Sequence, residues 1–390
     1  MSVNLLRRKK IIKKIKSFFK NIRENERWQL AILLATIFII ILSSAVIVAV
    51  KGKLFPSLIN FTHRNPIINI NEYKDKKEKK KTEENATIAP RRLDGLIVSK
   101  EESNKLPICV MIENAAFSGV RPQSGISSAS LVYEIIVEGG ITRLMAVYAG
   151  EKADPIGPVR SARDTYLEFA SELDCMYTHA GGSYTASKAL WELHMKDLDG
   201  LREPKYFWRD PNKVSPHNYF TNITKLEQAA IFGHSWKDAP TYESWKFKDD
   251  NQNRKKAGEA GYVSKINIDF GGSYNVEYRF NYENNNYERI NGGVEHTDAN
   301  TGKVLTTRNI IIEKVPPGQY LEGKGRINFS VTGEGDAYIF RDGELIEGRW
   351  KKADRLARTK YYDKQGNEVE FNRGNTWVEI VPEGYGYSWQ

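Results

Sequence analysis

The pattern of apolar and polar positions divides this 390-residue chain into stretches that follow different rules. Residues 28–50, WQLAILLATIFIIILSSAVIVAV, carry no charged side chain. At about 1.5 Å of helical rise per residue, such a run crosses a hydrocarbon core of about 30 Å, so its length favours one uncleaved transmembrane helix over the competing reading, a cleaved signal peptide with its shorter apolar core. Residues 51–92 invert the pattern. They are polar, charged and poor in large apolar side chains, which predicts a tether that buries too little surface to fold alone.

From residue 93 the pattern becomes that of a folded body. Apolar runs at 108–114, 130–140 and 142–150 predict strands, with Gly139-Gly140 as a turn between the last two. Residues 161–174 place Leu167, Phe169, Ala170 and Leu173 on one helical face, with Ser161 as the expected N-cap. CMYTHA reads as a short strand, Gly181-Gly182 as a turn, and SYTASKALWELHM as a second helix. A third helix is expected over 221–233, capped by Thr221 or Asn222. Residues 93–235 therefore predict a mixed α/β layer domain. After a polar connector at 236–261, residues 262–390 break into short strand-like runs separated by Gly, Asn, Asp and Pro, and Arg341-Asp-Gly-Glu344 is a hairpin signal. The fold class is α+β: an α/β layer domain, then a β-rich domain, preceded by the membrane segment.

Charge sharpens this division. Of 58 Lys and Arg and 49 Asp and Glu, 21 and 7 lie in residues 1–92, which leaves the body with 37 basic and 42 acidic side chains. The basic excess belongs to the tail and tether, so a nucleic-acid partner is not expected. The cations of residues 1–27 precede the apolar run and place that end in the cytoplasm, with the body outside. Nothing has metal-ligand spacing, and no cofactor is expected. Cys109 and Cys175 are the only cysteines. A buried thiol is the default for Cys109; a bond between the two is open.

Candidate chemistry collects around the predicted strand ends and helix starts. Arg121, Glu134, Glu138, Arg143, Arg160, Ser161, Arg163, Asp164, His179, Gly181, Gly182, Ser183, His217 and Asn218 form the candidate ligand-binding set. Paired guanidiniums beside a helix start suit a carboxylate or phosphate, so an anionic envelope polymer or small anion is the expected ligand. The competing account of these residues is a closed Arg–Glu network without a ligand. A hydrolase or transferase using His179 with Glu138 or Asp164 is the catalytic alternative, although no G-x-S-x-G elbow occurs. A third alternative is a protein-assembly module, which requires an exposed apolar patch on the β-rich half. Trp350 and Trp377 read as core, and His296 and Asp298, in VEHTDANTG, as a turn.

The motifs LVYEIIVEGGITRLMAVY, IGPVRSARDTYLEFA, HAGGS, SPHN, HTDANTGKVLTTRNIII and GNTWVEIVP, in this order over roughly 93–390, resemble the YerB-like family of bacterial envelope proteins, domain of unknown function 3048. The resemblance implies an N-terminal α/β domain and a β-rich C-terminal domain. Members are commonly lipoproteins; this chain has an apolar segment and no lipid-accepting cysteine beside it. The family has no established reaction, so the resemblance assigns no catalytic role. Its signature positions coincide with Arg121, Arg143, Arg160, Arg163, His179 and His217.

Overall fold

Strands that are apolar at every position, instead of at alternate ones, belong in the middle layer of a structure covered on both faces. The computed structural model, which describes residues 87–390 apart from Ser118, 238–240, Asn253 and 322–324, bears out this rule. Strands β1 (Ile108–Glu113), β2 (Leu131–Ile136) and β3 (Thr142–Tyr148) are buried along their whole length. Val110, Ile112, Val132 and Leu144 point into one core, whereas Cys109, Met111, Tyr133 and Met145 point into the other. This is the two-residue period of a strand read on both faces.

These strands continue into β4 (Met176–His179) and β5 (Asp197–Asp199). The C-terminal segment adds β6 (Lys265–Asp269), β7 (Val276–Asn281), β8 (Asn286–Asn291), β9 (Asn309–Val315), β10 (Gly333–Arg341), β11 (Glu344–Lys352), β12 (Lys360–Asp363), β13 (Thr376–Pro382) and β14 (Gly386–Trp389). Ten of them form one sheet in the order β12-β11-β10-β9-β13-β2-β3-β1-β4-β5. The N-terminal and C-terminal segments therefore share a sheet, joined where β13 runs parallel to β2 with Glu379 opposite Glu134. A second sheet contains β8-β7-β6-β14 in that order. Ile266, Ile268, Val276 and Tyr278 from it pack on one face of the large sheet. Helices α1 (Asp164–Glu172) and α2 (Tyr184–Glu192) cover the other face through Leu167, Phe169, Ala186 and Leu190.

Several sequence expectations change in detail. The folded part starts earlier than 93, because Ile88–Pro90 pairs with Ile97–Ser99 and buried Arg91 binds Asp94 at 2.5 Å and Glu151 at 2.8 Å. The interval 236–261 contributes a strand, Lys246–Lys248, parallel to Glu370–Asn372, and Trp245 packs 4.8 Å from the Phe371 ring. Helix α3 (Ile223–Gln228) is capped by Asn222, whose side chain accepts from the Lys225 N–H, and continues into a π-helical turn at Ala229–Gly233. The Asp342-Gly343 hairpin forms between β10 and β11 with both residues at positive φ, +57° and +71°. Cys109 is not a free thiol. It is disulfide-bonded to Cys175 across 66 residues, tying β1 to the turn between α1 and β4. The basic tail at 1–27, the apolar run at 28–50 and residues 51–86 lie outside the described residues. Among the described residues, no helix is long and apolar enough to cross a membrane.

Candidate functional site

Parallel strands β1 and β4 pair side by side up to Val110 and Thr178 and then separate. The segment Gly157–Arg163 fills the gap. The Glu113 N–H donates to the Pro158 carbonyl and the Arg160 N–H to the Met111 carbonyl. On the other side the Ala180 N–H donates to the Arg160 carbonyl, and the Ala162 N–H to the Gly181 carbonyl. Gly157 permits the approach, since a Cβ there would lie 2.7 Å from the Phe220 ring. This insertion explains why Ser161 is not the N-cap. The chain stays extended through Arg163, α1 begins at Asp164, and the Ser161 hydroxyl donates to the Ala180 carbonyl. Arg160, Ser161 and Arg163 thus sit beyond the carboxyl ends of two parallel strands, where open α/β sheets commonly bind ligands.

Two charge clusters form this rim. In the first, Glu138 receives hydrogen bonds from Arg163 Nε, at 2.6 Å, and from Arg163 Nη2, while Arg143 Nη2 stands 3.5 Å away. Arg143 also donates to the Ser161 carbonyl at 3.0 Å. Burial opposes ionisation of Glu138, but the hydrogen bonds from Arg163 and the charges of both arginines outweigh it and hold the carboxyl down to about 2. Burial and the neighbouring Arg163 charge, opposed by Glu138, bring the Arg143 guanidinium down to about 10. In the second cluster, Glu113 at the end of β1 takes Arg160 at 2.8 Å and His217 Nδ1 at 2.9 Å. The Arg143 and Arg160 Nε–H groups are buried with no hydrogen-bond partner among the described residues. Two guanidiniums meet one carboxylate in the first cluster, and Glu138 keeps a quarter of its side-chain surface open.

The other predicted residues do different work. His179 is buried, with Nδ1 2.8 Å from the Gly181 carbonyl and Nε2 2.6 Å from Asp197. Arg202 also binds Asp197, and these partners outweigh burial to hold the Asp197 carboxyl below its usual range. Nε2 holds β4 to β5 and Nδ1 holds the turn after β4, so His179 lacks the free nitrogen that the catalytic alternative needs. It does not meet His217, which serves Glu113. The Ser183 hydroxyl caps α2 by accepting from the Ala186 N–H, and donates to Asp164 at 2.9 Å. Gly181 N–H donates to Asp199, and a Cβ on Gly182 would meet Ser187 Oγ at 2.8 Å. Asn218 holds its own loop, accepting from Arg209 at 2.8 Å and donating to the Asp210 carbonyl. Asp164 lines a groove of about 450 Å³ between α1, α2 and residues 316–319 and 328–332.

Arg121 and Glu134 belong to the junction of the two sheets instead of the rim. Arg121 donates to both oxygens of Asn114 and to the Ser273 carbonyl. Glu134 binds Arg289 and accepts from Asn114 Nδ2 at 3.0 Å. Arg289 also lies 3.8 Å from Glu379 and 4.3 Å from the Trp377 ring centroid. Burial and the charge of Glu134 push the Glu379 carboxyl well above its ordinary range, against the pull of Arg289. His296 joins this network, not a plain turn, and burial with the charges of Arg289 and Arg121 keeps it far below the usual imidazole range. Asp298 is buried and accepts from the Gly125 and Ser127 N–H groups. Glu113 and Asp197 were missing from the expected set. A lone carboxylate closing the apolar run ICVMIE was the available signal for Glu113; Asp197 had none.

Known proteins agree with this architecture. Residues 93–233 match the N-terminal domain, and residues 266–378 the C-terminal domain, of the family described as "Protein of unknown function (DUF3048)". The chain belongs to that family. It is 29% identical over 300 residues to the "Putative lipoprotein YerB" of Bacillus subtilis (strain 168), covering 75% of this chain and 86% of the relative. The crystal structure of YerB protein from Bacillus subtilis superposes with a TM-score of 0.67 at 28% identity, over 77% of this chain and 99% of that one.

Proposed function

We propose that this protein is a membrane-anchored, extracytoplasmic binding protein whose rim of Arg143, Arg160 and Arg163 takes an anionic ligand of the cell envelope. The observation that carries the proposal is the imbalance at Glu138, where two guanidiniums share one carboxylate on a body that otherwise has more acids than bases. Arginine stays charged at any physiological pH, and the Ser161 and Ala162 carbonyls that also accept from the pair carry no full charge, so the excess favours a further anion. The uncharged run at 28–50, the cations before it and the lipoprotein description of the relative all favour the anchor and the location. The Cys109–Cys175 bond suits an oxidising compartment.

The alternatives have less support. Turnover by His179 conflicts with its two engaged nitrogens. A docking patch on the β-rich half would need contiguous apolar surface, whereas Val294, Tyr320 and Leu356 are exposed in separate elements. The test is calorimetric titration of the full chain in neutral detergent with polyacrylate, a carboxylate polymer. Saturable binding that weakens in Arg163→Gln supports the proposal; equal binding by both proteins removes it.

A further inference from the structure

Helix α2 carries two large aromatic side chains in solvent, Tyr184 at 79% and Trp191 at 76% exposure. They are seven residues apart, hence on one face, separated by about 10.5 Å of helical rise. Between them on that stripe lie exposed Ser187 and Lys188, and Lys188 is paired with Glu192 at 3.6 Å. The opposite face, Ala186 and Leu190, is buried in the core. An apolar protein-docking face would continue in aliphatic side chains. Here two flat rings are set apart by a hydroxyl and a cation, an arrangement that suits alternating apolar faces and hydroxyl groups.

The start of α2 is tied to the segment that carries the rim arginines. Ser183, one residue before Tyr184, donates its hydroxyl to Asp164, the neighbour of Arg163, and the Ser183 N–H approaches the Ala162 carbonyl at 3.4 Å. At the rim, the buried Arg143–Arg163 pair already grips a carboxylate, that of the quarter-open Glu138, and the Arg143 Nε–H has no hydrogen-bond partner among the described residues. A ligand that presents sugar rings to α2 and a carboxylate to the rim would use both features together.

We infer that α2 is a stacking platform for a carboxylate-bearing glycan, with Tyr184 and Trp191 contacting pyranose faces while Arg143 and Arg163 read the acid. This assignment rests on the anion-binding proposal above and names its ligand class. The probes are glycan strands of peptidoglycan freed of stem peptides, which expose lactyl carboxylates, beside polyacrylate and poly(glycerol phosphate). All three are titrated into the full chain in neutral detergent. Trp191→Ala, a change at an exposed position, is expected to weaken binding of the strands about tenfold while leaving polyacrylate within about twofold. Unchanged affinity for the strands in Trp191→Ala and Tyr184→Ala overturns the platform and leaves the arginine proposal standing. Equal loss for strands and polyacrylate also overturns it, because a stacking contact discriminates between them. Binding of poly(glycerol phosphate) with the same dependence on Trp191 overturns the carboxylate assignment. No binding of any probe by the unaltered protein removes both proposals.

Discussion

At the junction of the two sheets, one arginine, Arg289, stands between two glutamates, Glu134 and Glu379. At the rim beyond β1 and β4, one glutamate, Glu138, stands between two arginines. The residue types are the same and the direct pairings are reversed. The junction is sealed, with Arg289 at 1% and both carboxylates at 0% side-chain exposure. Its surplus negative charge is removed within the protein, because burial and Glu134 favour a proton on Glu379. The rim has no such remedy. Guanidinium does not release its proton near neutral pH, and Arg143 stays charged even when brought down to about 10. A carboxylate surplus can thus be structural and closed, while an arginine surplus on two buried guanidiniums, beside a Glu138 that is a quarter open, favours an anion from outside.

Breaking the junction is expected to have the largest effect. Arg289→Ala leaves Glu134 buried without its cation, and denaturant unfolding should show a loss of about 3–5 kcal/mol. Separating the covalent link from the electrostatic one comes next. Cys109→Ser with Cys175→Ser frees a 66-residue loop inside the N-terminal segment and should lower stability by about 2–4 kcal/mol in the same assay. The C-terminal strands should unfold together with it because the sheet is shared.

A carboxylate of the sheet core and the carboxylate of the rim should also respond to pH with opposite sign. Burial, and the nearby Glu172 charge, push the Glu313 carboxyl in the core up to about 8, despite the Tyr361 hydrogen bond. The native state then binds more protons than the unfolded chain between pH 4.5 and about 8, so this group's contribution falls as pH rises through that window. Glu138 is held down to about 2, so its contribution is present above pH 4.5 and is lost as pH falls towards 2. Unfolding titrations of Glu313→Gln and Glu138→Gln should flatten the alkaline and acid limbs respectively. A smaller loss is expected at the rim: Arg163→Gln removes a buried guanidinium that donates to Glu138 and to the Ala162 carbonyl, and should cost about 1.5–3 kcal/mol.

Much of the layer structure was legible because apolar runs and turn residues are local signals. The three runs before residue 150, the apolar face of α1, the helix α2 and the Asp342-Gly343 hairpin all lie where the pattern predicts them. The joining of the two segments was not legible. Pairing of β13 with β2 connects residues about 245 positions apart, and a fully apolar strand does not name its neighbour. Candidate site residues divided in the same way. Arg143, Arg160 and Arg163 are gathered by the inserted segment, whose extended path is set by hydrogen bonds to strands on both sides. His179 looked like chemistry because it precedes a glycine pair, yet its role is decided by Asp197 on the adjacent strand. Arg121 and Glu134 joined the wrong set for an equivalent reason: their partners, Ser273 and Arg289, come from the second sheet.

The most direct test of the rim's surplus charge is to remove Glu138, its internal carboxylate. Calorimetric titration of the full-length protein with polyacrylate should give tighter binding in Glu138→Gln than in the unaltered protein, and weaker binding in Arg163→Gln. Equal affinity in all three proteins would contradict the account, and would leave the rim as a closed ion-pair network of the same kind as the junction.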